Sequence, residues 1–89
     1  MKKINGFVLR RLGTEAVIVA ESLDLIAFDR LVSLNDSAVY VWESLNDSEF
    51  DSNTVVRLLT DRYDVDEATA CKDAGELIDV WLRAGIIEQ

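Results

Sequence analysis

The chain has 89 residues, 49% of them hydrophobic, with no proline and four glycines, which fits one small domain spanning 1–89 and leaves no room for a second core. Seventeen acidic residues against nine basic ones give a net charge of −8, which disfavours gripping nucleic-acid phosphates or anionic membrane surfaces. With no histidine and a single cysteine, Cys71, the commonest general base is missing, and an internal disulfide or a thiolate metal cluster is excluded.

The first third of the chain is strand-like. Phe7 to Leu12 and Ala16 to Ala20 are short β-compatible runs, and Gly13-Thr14 between them suits a tight hairpin turn. After Ser22-Leu23-Asp24 comes a third run, Ile26 to Leu34. Alternation in this run puts Phe28, Arg30, Val32 and Leu34 on one face and Asp29, Leu31 and Ser33 on the other. The run leads straight into a helix from about Asp36 to Leu45. Asn35 supplies the capping oxygen, and Ala38, Val41, Trp42 and Leu45 form one apolar stripe.

The remainder reads as two more helices. Ser52 is the expected cap of a second helix reaching about Arg62, with Val55, Val56, Leu59 and Tyr63 on its apolar face. Asp66 is the expected cap of a third and longest helix ending near Ala84. Gly85 stands at the left-handed C-terminal cap, and Ile86-Ile87 is expected to fold back as an apolar tail. The third helix carries a broad core face of Ala74, Leu77, Ile78, Trp81 and Leu82. A narrower row of Asp73, Leu77, Val80 and Ala84 lies beside it. A lone surface helix needs only the first, so the second either packs on a neighbouring loop or lines a groove. Three strands followed by three helices give an α+β domain of winged helix-turn-helix type, its three-stranded sheet antiparallel.

No constellation points to catalysis or to a bound metal or cofactor. Carboxylate pairs such as Asp64/Asp66 and Glu76/Asp79 are expected by chance among so many acids. Asp64-Val65-Asp66-Glu67 lacks the glycine and terminal glutamate of a calcium loop. The serines have no histidine to activate them, and the four glycines are too scattered to cradle a phosphate. Cys71 reads as a packed small hydrophobe. The third helix sets Asp66, Glu67, Asp73, Glu76 and Asp79 against only Lys72 and Arg83, the wrong balance for a DNA-reading helix. Arg10 and Arg11 interrupt the apolar run that would make Met1-Lys2-Lys3 a signal peptide, and no window reaches the length of a membrane span. A cytoplasmic domain without membrane or nucleic-acid partners is therefore expected. What survives is recognition through an exposed sheet edge, which can accept an extended peptide as an extra strand.

Leu34-Asn35-Asp36-Ser37-Ala38-Val39-Tyr40-Val41-Trp42-Glu43 resembles the leucine-asparagine…tryptophan-glutamate signature of the pyrroloquinoline quinone biosynthesis protein D (PqqD) family. Ser52, Leu59, Tyr63-Asp64-Val65, Asp73, Leu77-Ile78 and Gly85-Ile86-Ile87 match later family positions in order, with Trp81 falling in the closing leucine-rich helix, and Gly6-Phe7-Val8-Leu9-Arg10 resembles the opening strand. The chain departs from the pattern at Trp81, where leucine is usual, and at Val80, where a polar residue is usual. The resemblance implies a non-catalytic peptide-recognition domain that binds the leader of a ribosomally made precursor peptide and presents it to a modifying enzyme, often a radical S-adenosylmethionine (SAM) protein. It also implies that the leader pairs with the third strand and lies against the third helix. On this chain those surfaces are Asp29, Arg30, Leu31, Val32, Ser33 and Leu34, and the helical row Asp73, Glu76, Leu77, Val80 and Ala84. Two other classes remain open, a winged-helix regulator and a structural docking subunit that touches no substrate peptide.

Overall fold

The computed structural model describes residues 1–20, 32–46 and 48–89. In chain order the elements are β1 (Lys2–Lys3), β2 (Phe7–Leu12), β3 (Glu15–Ala20), β4 (Val32–Leu34), α1 (Asp36–Leu45), α2 (Ser52–Arg62), α3 (Glu67–Ala84) and β5 (Ile87–Glu88). Strands β2, β3 and β4 form an antiparallel sheet in that order, with Leu12 opposite Glu15 and Ala16 opposite Leu34. The expected hairpin is present: only Gly13 and Thr14 separate the paired ends, and Gly13 takes the positive φ of 65° that such a turn requires. The third expected strand is described from Val32 onward, and its residues 26–31 lie outside the described residues. Within Val32–Leu34 the alternation holds, because Val32 and Leu34 are buried and Ser33 is exposed.

Each helix starts on a side chain that satisfies an orphan N–H. Asn35 Oδ1 accepts from the Ala38 N–H at 2.9 Å and from the Ser37 hydroxyl at 3.0 Å, closing the corner between β4 and α1. For α2 the cap is Asp51, not Ser52. The Asp51 carboxylate accepts from the Thr54 N–H at 2.9 Å and the Asp51 N–H donates to Thr54 Oγ1 at 3.3 Å, a reciprocal box that makes Ser52 the first helical residue. Asp66 caps α3 as expected, accepting from the Thr69 N–H at 2.7 Å.

These backbone hydrogen bonds, with help from the threonine side chains, hold Asp51 and Asp66 below the ordinary carboxylate range. A depressed folded-state pKa means that the ionised caps stabilise the fold fully above the unfolded-state value. That contribution disappears as pH falls through the folded value, below about pH 4. Asp51→Asn/Asp66→Asn keeps both acceptors without the titration. Its urea midpoint is expected to fall less than that of the unaltered domain when pH is lowered from about 6 to about 3.

One core joins the inner face of the sheet to all three helices. Ala16, Ile18, Val32 and Leu34 meet Val41, Trp42 and Leu45 of α1, Val55 and Leu59 of α2, and Ala74, Ile78 and Trp81 of α3. At its centre Trp42 and Trp81 pack edge to face, with centroids 5.3 Å apart and rings at 89°. Lys3 Nζ stands 4.3 Å from the Trp42 ring centroid. Two expectations are corrected. Cys71 is exposed, because α3 turns Ala70 and Ala74 to the core and leaves Cys71 about 100° away from Ala70. Leu77 and Leu82, expected on the core face, are only half-buried at its margins.

The chain closes in a way periodicity does not show. Gly85 ends α3 in the left-handed region at φ 76°, and the tail returns as β5, pairing antiparallel with β1 through Lys2 opposite Glu88 and Lys3 opposite Ile87. Ile86 and Ile87 are buried as a result. A methyl group at Gly85 would touch nothing within 4 Å, so Gly85→Ala is expected to cost about 1 kcal/mol in urea unfolding through backbone conformation alone.

Candidate functional site

Strand β4 pairs with β3 along one side, and no described strand lies along its other side. An edge of this kind leaves backbone donors and acceptors available to an added strand. Beside it opens a cleft of about 770 Å³. One wall is the β4–α1 corner, from Ser33 and Leu34 through Asn35, Asp36 and Ser37 to Ala38. The other is α3, with Asp73, Glu76, Leu77 and Val80. Leu59, Tyr63, Val65 and Trp81 complete the lining.

Helical rotation explains why α3 serves two surfaces. At 100° per residue, Ala70, Ala74, Ile78 and Trp81 occupy one sector, and Asp73, Glu76, Leu77 and Val80 occupy the adjoining one. The first sector is buried in the core. The second faces the cleft, and Val80 remains 51% exposed. Asp73, Leu77 and Val80 of the second row of α3 thus line a groove, and Ala84 does not.

The end of the cleft is set by the turn between α2 and α3. The Tyr63 N–H donates to the Leu59 carbonyl at 2.9 Å and the Val65 N–H to the Tyr63 carbonyl at 2.9 Å. Tyr63 also meets Tyr40 edge to face at 6.2 Å, and the Arg62 guanidinium lies 5.7 Å from the Tyr40 ring centroid. The floor carries an unusual group. Trp81 is fully buried and its indole Nε1 has no hydrogen-bond partner among the described residues.

The cleft is acidic. Asp36, Asp73 and Glu76 line it, and no cation does so among the described residues. Neither Asp73 nor Glu76 takes part in an ion pair among the described residues, whereas Asp79, on another face of α3, is held by Arg83 at 2.6 Å. No cluster of three or more potential metal ligands occurs among the described residues.

Of the surfaces expected from the sequence, Ser33, Leu34, Asp73, Glu76, Leu77 and Val80 come together in the cleft. Val32, the first residue of β4, turns its side chain into the core and does not line the cleft. Ala84 shares the helix face of Val80 but sits one turn beyond the cleft. Asp29, Arg30 and Leu31 lie outside the described residues. The sequence reading missed Asn35 to Ala38, Leu59, Tyr63, Val65 and Trp81 as lining residues. Their sequence signals were those of a cap, a turn and a core, and only the approach of α3 to the β4–α1 corner gives them a second role.

These features define a small α+β domain of winged helix-turn-helix type with an open sheet edge beside a mostly apolar cleft that carries three carboxylates. The chain belongs to the PqqD family: the family model described as coenzyme PQQ synthesis protein D matches residues 15–87. Among solved structures, "TbiB1 in Complex with the TbiA(beta) Leader Peptide" shares the fold with a TM-score of 0.73 and 17% sequence identity, covering 99% of this chain and 95% of that one. No curated protein matches the sequence. No helix among the described residues is long and apolar enough to cross a membrane.

Proposed function

We propose that this domain binds the leader segment of a ribosomally made precursor peptide and presents it, without catalysing a reaction itself, to a modifying enzyme such as a radical SAM protein. The observation that carries this reading is the open edge of β4 lying along an apolar and acidic cleft. Backbone groups at Val32–Leu34, continuing to Asp29, Arg30 and Leu31 if that segment extends the edge, hold an incoming strand by main-chain hydrogen bonds. Leu34, Leu77 and Val80 receive its apolar side chains, and Asp73 and Glu76 face its polar ones. Membership of the PqqD family supports the reading, as does a neighbour of the same fold solved with a leader peptide.

The test is titration of the ¹⁵N-labelled domain with the precursor peptide encoded beside its gene. Amide shifts are expected at Val32–Leu34 and along Asp73–Val80. Shifts confined to other surfaces, or none at saturating peptide, would overturn strand addition in this cleft. Presentation is tested separately by gel filtration of domain, peptide and encoded maturase together, with a three-component complex expected. A complex of domain and maturase that forms without ever retaining peptide would favour a structural docking subunit.

A further inference from the structure

The cleft wall on α3 is polar at one end and apolar at the other, and the two ends are spaced like alternate residues of a strand. Asp73 and Glu76 lie toward its N-terminal end, and Leu77 and Val80 lie toward its C-terminal end. The midpoint of the acidic pair is four residues from that of the apolar pair, or about 6 Å along the helix at 1.5 Å per residue. In an extended chain, side chains on the same face recur every two residues, about 6.6 Å apart. A strand lying along α3 therefore places one side chain over Leu77 and Val80 and the next on the same face over Asp73 and Glu76.

Charge selects what that second side chain is. Asp73 and Glu76 are exposed on α3 without an ion pair among the described residues, and Asp36 adds a third carboxylate from the opposite wall. Lys72 precedes Glu76 by one turn but neither lines the cleft nor comes within ion-pair distance of it. Among the described residues, a carboxylate entering here would meet like charge from both walls, and a lysine or arginine would meet opposite charge from both.

Resting on the leader-binding reading above, we infer that the cleft selects an extended peptide carrying a large aliphatic residue and a lysine or arginine two positions apart. The aliphatic side chain rests on Leu77 and Val80, and the cation reaches Asp73, Glu76 and Asp36. Spacing is part of the selection, because a separation of three residues turns the cation to the opposite face of the strand.

Synthetic fluorescent peptides of about ten residues, otherwise built from Thr, Ser and Val, test this. They carry Leu and Lys two apart, Leu and Lys three apart, or Leu and Glu two apart, each in both chain directions. In fluorescence anisotropy the better direction of the Leu–Lys peptide with spacing two is expected to bind at least about fivefold tighter than either control, the scale of a few partly screened ion pairs. The advantage should shrink as salt rises and vanish in Asp36→Asn/Asp73→Asn/Glu76→Gln. Equal affinities, no measurable binding by any peptide, or a preference that survives the triple variant would overturn the inference. Amide shifts separate the two levels. If all the peptides perturb Val32–Leu34 alike, strand addition stands and the selection rule falls. If none perturbs it while the precursor peptide does, again only the rule falls.

Discussion

Replacing Trp81 by alanine is expected to cost about 3–5 kcal/mol of folding stability, whereas Trp81→Phe is expected to stay within about 1 kcal/mol of the unaltered domain. Trp81 is fully buried, packs edge to face on Trp42 and anchors α3 to the core beneath the cleft. Removing the ring leaves a large cavity where sheet and helices meet. A domain of 89 residues has a total stability of roughly 4–13 kcal/mol, so the alanine variant is expected to be largely unfolded on warming. Phenylalanine behaves differently because two effects oppose each other. Part of the ring is lost, but so is an indole N–H without a partner among the described residues, a burial that costs about 1–3 kcal/mol. Urea unfolding of both variants checks this. A phenylalanine variant as damaged as the alanine one would show that the lost ring packing outweighs the relief of that N–H.

Val80→Asp is expected to weaken peptide binding by at least about tenfold while lowering folding stability by no more than about 1 kcal/mol, the cost of a like charge one turn from Glu76 near the helix C-terminus. Val80 is 51% exposed and takes no part in the core, so the fold does not depend on it. Its apolar surface is nevertheless the part of the cleft that a leader's aliphatic side chain would cover. A carboxylate there must either be desolvated against that side chain or keep it away. Val80→Ala, which removes area without adding charge, is expected to weaken binding only about threefold, in line with the loss of roughly 25–30 Å² of contact. Anisotropy with the precursor peptide measures both, and undiminished binding by the aspartate variant would exclude this face of α3 from the interface.

Several features of this molecule follow from its sequence because they are local. Asn35 and Asp66 cap their helices as oxygen-bearing residues before apolar periodic runs should, and Gly85 adopts the left-handed cap that a side chain disfavours. The same periodicity placed Trp42 and Trp81 inside. Other features were not legible because the sequence offered competing local solutions. At the start of α2 both Asp51 and Ser52 could cap, and the choice fell to Asp51 because Thr54 completes a reciprocal box with it. Cys71 read as core by its neighbours, yet one step of helical rotation exposes it. The pairing of β1 with β5 joins the two ends of the sequence, and short two-residue strands leave no alternating pattern to find.

Charge, the absence of histidine and the double stripe of α3 set the expectation of recognition by shape. The tertiary structure alone decided what the second stripe faces. A helix's own sequence fixes which side chains share a sector, since that depends only on 3.6 residues per turn. Whether a sector meets solvent, a loop or a cleft depends on where distant elements pack. Here the Trp42–Trp81 contact in the core brings α3 alongside the β4–α1 corner, leaving a space between them lined by Leu77, Val80, Asp73 and Glu76 on one side and Ser33 to Ala38 on the other.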